Sequence, residues 1–496
     1  MFLPPHPRRF FFLPLIAAGI WVSSCVAPLG PGYKIENQEI QVQFDPAPVP
    51  KIRVDATYQL RNTGTRSVPD MQLRLPGRRR FRLAQAQATW DGVSLREQTS
   101  PQNPRDSLLV FPQPWRVSEE HELHLTAEFQ NPAPGETRFT FSSTAFFLPS
   151  EGWAPELLPS QALFGTGGIP PKQWRLQVRV PAGFLVHLSG RSPKISRSGS
   201  EINVVSTQRP EDSYPFVVAG VYKETTLDAG KQKAFLWTQA QEDASSLRKS
   251  TDALVRAIET YDAVFGTRPK NGQPFWFVQC PVAEGCFSAQ ESSYANLLSA
   301  DPGAASSELA SLDTLMMDFH GGAPKLSASA PSLASSWLGY GENPGLYEQL
   351  PPLSAFPAFA AALGEEAIEG PSFRTETILR ALRMIPQTAK AADTSRARKP
   401  EDETVLRAKS FLFFYALEER FGRDASSRAF RHMLSARRGH GFDLDDLIAA
   451  FEEETHQNVA EFVRLWMKHP GVPEDFRSRY QDASAGVLFH SRENTP

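Results

Sequence analysis

From Tyr33 to Tyr222 apolar and polar residues alternate in short runs, each cut off by turn-forming residues. The runs are Ile40–Phe44, Val54–Leu60, Met71–Leu75, Leu108–Phe111, His121–Phe129, Trp174–Val180, Ile202–Val205 and Phe216–Val221. Between them stand Asn62-Thr-Gly64, Pro76-Gly77 and Ser189-Gly-Arg-Ser192. A period of two broken by such signals predicts an antiparallel β domain. Past about Asp228 the period lengthens. Leu254, Ile258 and Tyr261 share one helical face, Phe275–Val278 predicts a short buried strand, and Phe411–Phe421, Ala429–Leu434, Leu444–Phe451 and Val459–Met467 predict amphipathic helices. The second half is therefore mainly α. Ser299–Ser336, rich in Ala and Ser, and the polar stretch Thr388–Thr404 with its run Arg396-Ala-Arg-Lys399 read as loops or connections.

Composition narrows the function classes. The 496 residues carry 52 Lys+Arg against 55 Asp+Glu, a formal charge of -3, so the chain as a whole does not attract nucleic acid, and none is expected as a partner. The 42 Pro exceed the roughly 5 % average usage, as suits a loop-rich β architecture. At this length two to four domains, each with its own core, are expected.

The N-terminus reads as an address. Arg8 and Arg9 precede the apolar run Phe10–Trp21, too short to span a bilayer, and Val22-Ser-Ser-Cys25 resembles a bacterial lipobox. Cleavage before Cys25 and lipidation of its thiol would anchor the chain to a membrane; an uncleaved anchor, or secretion with Cys25 incidental, are the alternatives. The expected location is the bacterial cell envelope, outside the cytoplasm. Val26 in place of the Asp that holds lipoproteins at the inner membrane favours the outer membrane. In that compartment Cys280 and Cys286, which enclose Pro-Val-Ala-Glu-Gly, are expected to be bonded to each other, the alternative being a thiolate nucleophile at Cys286.

Catalytic constellations are sparse. A zinc hydrolase helix needs two His four apart with a Glu beside the first, and no two of the ten His have that spacing. His121-Glu122-Leu123-His124 is one residue short and lies in a strand-like run, where positions three apart face opposite ways. Asp318 and His320 precede two glycines without a second ligand nearby. Ser246-Leu-Arg-Lys249 has an acyl-enzyme spacing but lacks the accompanying Lys-Thr-Gly, and neither a P-loop nor Gly-x-Ser-x-Gly occurs.

The order of segments carries a resemblance. Glu151-Gly-Trp153-Ala-Pro155, Val178-Arg-Val-Pro181-Ala-Gly-Phe184 with Ser189-Gly190, Ser213-Tyr-Pro-Phe216 to Tyr222, and Tyr261-Asp-Ala-Val-Phe265-Gly266-Thr-Arg-Pro269 resemble successive landmarks of the gluzincin zinc aminopeptidases, peptidase family M1. Phe442–Leu447, Phe462–Trp466 and Pro470–Pro473 are similar to the end of that family's catalytic region. The resemblance implies an α+β multidomain chain, with an N-terminal antiparallel β-saddle or sandwich domain followed by a thermolysin-like, mainly α domain. On this basis 1–24 is a lipoprotein-type signal peptide, 25–32 a linker after the anchor and 33–225 the β domain. Residues 226–396 form a degenerate catalytic-type domain, 397–480 a C-terminal helical part and 481–496 a tail.

The family's catalytic positions can be followed through this chain. Its zinc helix aligns with Pro331-Ser-Leu-Ala-Ser335-Ser-Trp337-Leu-Gly339, which puts Pro331 and Ser335 at two ligand positions and Ser332 at the general base. The third ligand falls at Ser354 or Ala355, and Arg407 stands where the family has an oxyanion-stabilising Tyr. The family's zinc is therefore expected to lack its ligands, and no other cofactor is implied. The substrate-amine motif aligns near Ser288-Ala-Gln-Glu291, retaining only the acid.

The resulting expectation is an extracytoplasmic, aminopeptidase-like lipoprotein without catalysis that binds a peptide or protein. Glu291, Trp337 and Tyr340 are the candidate cleft residues, unless the aromatics are core and Glu291 is a solvated loop charge. The alternatives are an active metallopeptidase with an unconventional site, such as His320 with Asp318 and Glu342 or Glu365, and a structural envelope protein.

Overall fold

A computed structural model of the chain describes residues 32–74, 82–100, 107–130, 141–148, 153–158, 169–208, 215–229, 232–239, 244–266, 268, 274–280, 309–311, 314–317, 319–320, 323–324, 333–334, 336–338, 353–386, 400–437 and 442–480. Cys25, Cys286, Glu291, Asp318, Pro331, Ser332, Ser335, Tyr340 and Glu342 lie outside them.

The β half runs β1 (Tyr33–Asp45), β2 (Lys51–Asn62), β3 (Val68–Arg74), β4 (Arg82–Trp90), β5 (Val93–Ser94), β6 (Arg96–Thr99), β7 (Ser107–Trp115), β8 (Glu120–Gln130), β9 (Ala145–Leu148), β10 (Glu156–Leu158), β11 (Trp174–Pro181), β12 (Leu185–Leu188), β13 (Arg191–Ser198), β14 (Glu201–Gln208) and β15 (Val217–Gly220). An eight-stranded sheet, β13-β14-β11-β1-β2-β8-β4-β5, faces a four-stranded one, β10-β3-β7-β6. Alternation decides the burial: Ile52, Val54, Ala56, Tyr58 and Leu60 of β2 are 0–1 % exposed, while Lys51, Arg53, Asp55 and Arg61 face out. In β1 the buried positions change from odd (Tyr33, Ile35) to even (Ile40, Val42, Phe44), because the register with β2 shifts between Ile35 and Asn37. Two buried tyrosines close the layers, Tyr33 Oη donating to Leu158 O (2.7 Å) and Tyr58 Oη to Pro155 O (2.6 Å).

The landmark segments meet in space. Trp153 Nε1 donates to Pro215 O (2.9 Å), and the Phe216 amide donates to Ser189 Oγ (3.1 Å). They bound a third sheet, β12-β15-β9, whose strands β9 and β15 are buried throughout. Their alternate residues serve two cores. Phe146, Leu148, Val217 and Ala219 pack into the β domain, whereas Ala145, Phe147 and Val218 join Tyr222, Trp237, Val278, Cys280 and Met316 across a seam. His187 stacks on Trp276 (3.9 Å between centroids), and its Nε2 lies 2.8 Å from Thr314 Oγ1.

Beyond the seam lie β16 (Lys223–Ala229), β17 (Gln232–Thr238), α1 (Ala244–Phe265), β18 (Phe275–Gln279), β19 (Leu309–Ser311), β20 (Thr314–Met317), β21 (Phe319–His320) and β22 (Ala323–Pro324). The helices that follow are α2 (Phe356–Glu369), α3 (Ser372–Arg383), α4 (Pro400–Phe421), α5 (Arg423–Ala436), α6 (Leu444–Thr455) and α7 (Val459–Lys468). The sheet order is β16-β17-β18-β20-β19, with β17, β18 and β20 parallel. The change of sheet thus comes at β16, and the expected boundary at 225 falls inside that strand. Ser299–Ser336, read as a loop, contributes β19–β22, strands of two to four residues that are too short to show alternation. The helices share one core with α1, and α6 is closed by a capping box between Asp443 and Asp446.

The seam generates a stability prediction. A Cβ at Gly220 would lie 2.5 Å from Ala145 Cβ and 3.0 Å from its Cα, so β15 and β9 must part to admit it. Gly220→Ala is expected to lower the unfolding free energy by about 1–3 kcal/mol in chemical denaturation.

Candidate functional site

The described residues flanking the positions singled out by the resemblance lie on four elements that share one core. Residues 333–334 and 336–338 are helical, a 3₁₀ turn spans Leu353–Ala355 at the head of α2, and α4 packs against that turn. α1 closes the remaining side through Tyr261 and Asp262. Leu333, Ala334, Ser336, Trp337 and Leu338 are 0–3 % exposed, as are Leu353, Ala355 and Phe356.

Trp337 is the fixed point of this centre. Its indole Nε1 donates to Asp262 Oδ1 (2.8 Å), and its ring lies 5.2 Å from Tyr261 and 6.4 Å from Phe275. A role for Trp337 therefore runs through packing and positioning, since its one polar atom is engaged. Asp262 sits inside the landmark Tyr261–Phe265, but its partner is 75 residues away, so only the folded chain reveals the pair. Tyr261 is buried, and Gly364 gives it room: a Cβ there would lie 2.0 Å from its Oη.

The remaining predicted positions are placed as follows. Ser354 lies in the 3₁₀ turn and Arg407 is half-buried on α4. Two residues further along α4, Lys409 is 5 % exposed, and its Nζ donates to the carbonyls of Met467 (3.3 Å) and His469 at the end of α7. Burial lowers its pKa to about 8. Lys409 is thus a clamp on the C-terminus of α7, where a cation is favoured. The Ser336 and Ser410 hydroxyls are buried without a hydrogen-bond partner among the described residues. Among those residues no three His, Cys, Asp or Glu stand together as a metal-holding group. His121 and His124 occupy opposite faces of β8, His121 Nδ1 being 2.5 Å from Asp91 Oδ2. His320 lies in β21, and Cys280, just after β18, is 3 % exposed.

A second polar cluster escaped the sequence reading. Arg374 of α3 lies 2.5 Å from Glu418 and 3.6 Å from Glu366, and Arg423 reaches Glu366 at 3.2 Å and Glu418 at 3.4 Å. Arg374 also stands over the Tyr415 ring, 4.7 Å from its centroid. Burial alone would lower its pKa, but Glu418 and Glu366 outweigh that and raise it. Close by, Glu365 is 2 % exposed; burial, reinforced by Glu369 and opposed by Arg380, pushes its carboxyl up to about 8.

Two measurements follow from this geometry. Trp337→Phe is expected to cost about 1–3 kcal/mol of stability through the lost bond to Asp262, and Trp337→Ala about 3–5 kcal/mol through the added cavity, both read by denaturation. Glu365 has a folded pKa of about 8 above its ordinary 4.5, so its contribution is complete below pH 4.5 and is lost as pH rises through about 8. The loss is on the order of 5 kcal/mol, and Glu365→Gln is expected to flatten the stability–pH curve between those values.

No family profile matches the chain, and no curated protein matches it in sequence. Its fold is similar to a single-residue mutant of the M1 zinc metallopeptidase from Deinococcus radiodurans, at 15 % identity over 89 % of this chain and 96 % of that one, with a TM-score of 0.51. A structure of a two-domain M1 zinc metallopeptidase mutant bound to L-tryptophan is similar over the same shares at 15 % identity, with a TM-score of 0.50. The chain therefore has the two-domain fold of the M1 zinc metallopeptidases, a β domain joined to a thermolysin-like helical domain.

Proposed function

We propose that the protein is a lipoprotein of the cell envelope, anchored through Cys25, that uses an M1-like scaffold to bind a peptide or protein and does not hydrolyse it. One observation carries the loss of catalysis: no two of the ten His are four apart, whatever the alignment. With Pro331, Ser332 and Ser335 on the zinc-helix register, Ser354 or Ala355 at the third ligand and Arg407 at the oxyanion position, the side chains do not fit zinc. Glu291 is retained at the position of the family's amine-binding acid and is the anchor we assign to a peptide N-terminus. The burial of Cys280 supports a structural pair with Cys286 over a reactive thiol.

A second reading, a structural envelope protein, is favoured by the 0–3 % exposure of Leu333, Ala334, Ser336, Trp337 and Leu338, which places these side chains in the core. In both readings the purified chain is expected to carry well under one zinc per molecule by elemental analysis and to leave aminoacyl anilides and short peptides uncleaved. One zinc per chain, together with chelator-sensitive release of N-terminal residues, would overturn both and favour an active enzyme with an unconventional site.

A further inference from the structure

We propose that Glu365 is a proton latch on the Trp337 centre: while it holds its proton, α2 keeps Tyr261 seated against Trp337, and its ionisation displaces that contact and changes the surroundings of the Trp337 ring.

The latch follows from where the carboxyl stands. Glu365 ends the stretch of α2 from Phe356 that is buried throughout. It is 2 % exposed and makes no hydrogen bond or ion pair among the described residues. A carboxylate in such a place would be desolvated and unpaired, so the group is held neutral. The elements around it offer little relief. On α2 itself, Glu369 lies one turn further and Glu366 is engaged by Arg374 and Arg423. α1 brings Tyr261 close to it, and α4 brings Tyr415, beside Glu418; the Tyr415 hydroxyl is buried without a hydrogen-bond partner among the described residues. α3 supplies Arg374, committed to Glu366 and Glu418, and the exposed Arg380, whose charge reaches Glu365. An ionised Glu365 is therefore drawn outward to Arg380, away from the buried Tyr261.

Two contacts carry that displacement to Trp337. Gly364, the residue before Glu365, packs so closely on Tyr261 that a Cβ there would stand 2.0 Å from its Oη and 2.5 Å from its Cζ. In a close-packed interior the α2 backbone at this point and the Tyr261 ring move together. The same ring lies 5.2 Å from that of Trp337, and the residue after it, Asp262, accepts the Trp337 indole N–H at 2.8 Å. Burial, reinforced by Glu369 and opposed by Arg380, pushes the Glu365 carboxyl up to about 8. The latch is thus closed at neutral pH and opens as pH rises through that value.

The test uses the full chain labelled with 5-fluorotryptophan. Its nine ring signals are followed by fluorine NMR from neutral to alkaline pH, with Trp337→Phe assigning the signal of Trp337. In the wild-type chain that signal is expected to titrate with a midpoint at about pH 8. In Glu365→Gln, which keeps the shape of the protonated acid, it is expected to stay at its low-pH position throughout. Glu369→Gln is expected to move the midpoint down and Arg380→Gln to move it up. Lys409 loses its proton in the same range, and Glu365→Gln leaves that group in place. A Trp337 titration that persists in Glu365→Gln therefore has another source and overturns the latch. A Trp337 signal that stays still in the wild-type chain overturns it too. So does a change shared by Trp153 and Trp174, buried in the β domain, because it reports loss of the whole fold.

Discussion

Two adjacent strands, β9 and β15, hold this molecule together by dividing their side chains between two cores. Successive residues of a strand point to opposite faces, so Phe146 and Phe147, one peptide apart, are committed to different domains. The β domain and the helical domain therefore cannot separate without exposing alternate residues of both strands. Phe216, Val218, Trp237 and Val278 fill the far side, and the stack of His187 on Trp276 borders it. This seam fixes β18, and β18 in turn carries Phe275 to the Trp337 centre.

The helical core is fixed by a different kind of constraint. Arg374 and Arg423 each face both Glu366 and Glu418, so four charges from α2, α3, α4 and the start of α5 satisfy one another, the two carboxylates largely covered and Arg423 at the solvent edge. Such a cluster contributes less net stability than apolar packing of equal volume, yet removing one member leaves the remaining charges out of balance. It penalises any slip of one helix along another. Lys409 does the same for α7 by gripping its last carbonyls.

How much of this was legible depended on whether the signal was local. The alternation of β2 and β8 predicted their burial, because each strand buries one face. The start of β1 was hidden by the bulge between Ile35 and Asn37, which breaks the period within one strand. α2 gave no helical stripe, since Phe356 to Glu365 are all buried and no polar face interrupts them. At the candidate site, Trp337 stood out through its landmark, and the lack of a His pair could be read directly from the sequence. The acceptor of Trp337, Asp262, and the Arg–Glu cluster could not, because their partners lie far apart in the chain and nothing local marks them.

The position of β1 has a mechanical consequence. It is an interior strand, bonded to β2 on one side and, in parallel, to β11 on the other. A pull on the chain ahead of Tyr33 acts along the strand axis, so the ladders to β2 and β11 are loaded in shear, many hydrogen bonds at once. An edge strand pulled sideways would instead unzip one bond at a time. The chain thus meets tension at its N-terminus with one of its most heavily bonded strands, and force entering there spreads through the eight-stranded sheet before it reaches the seam.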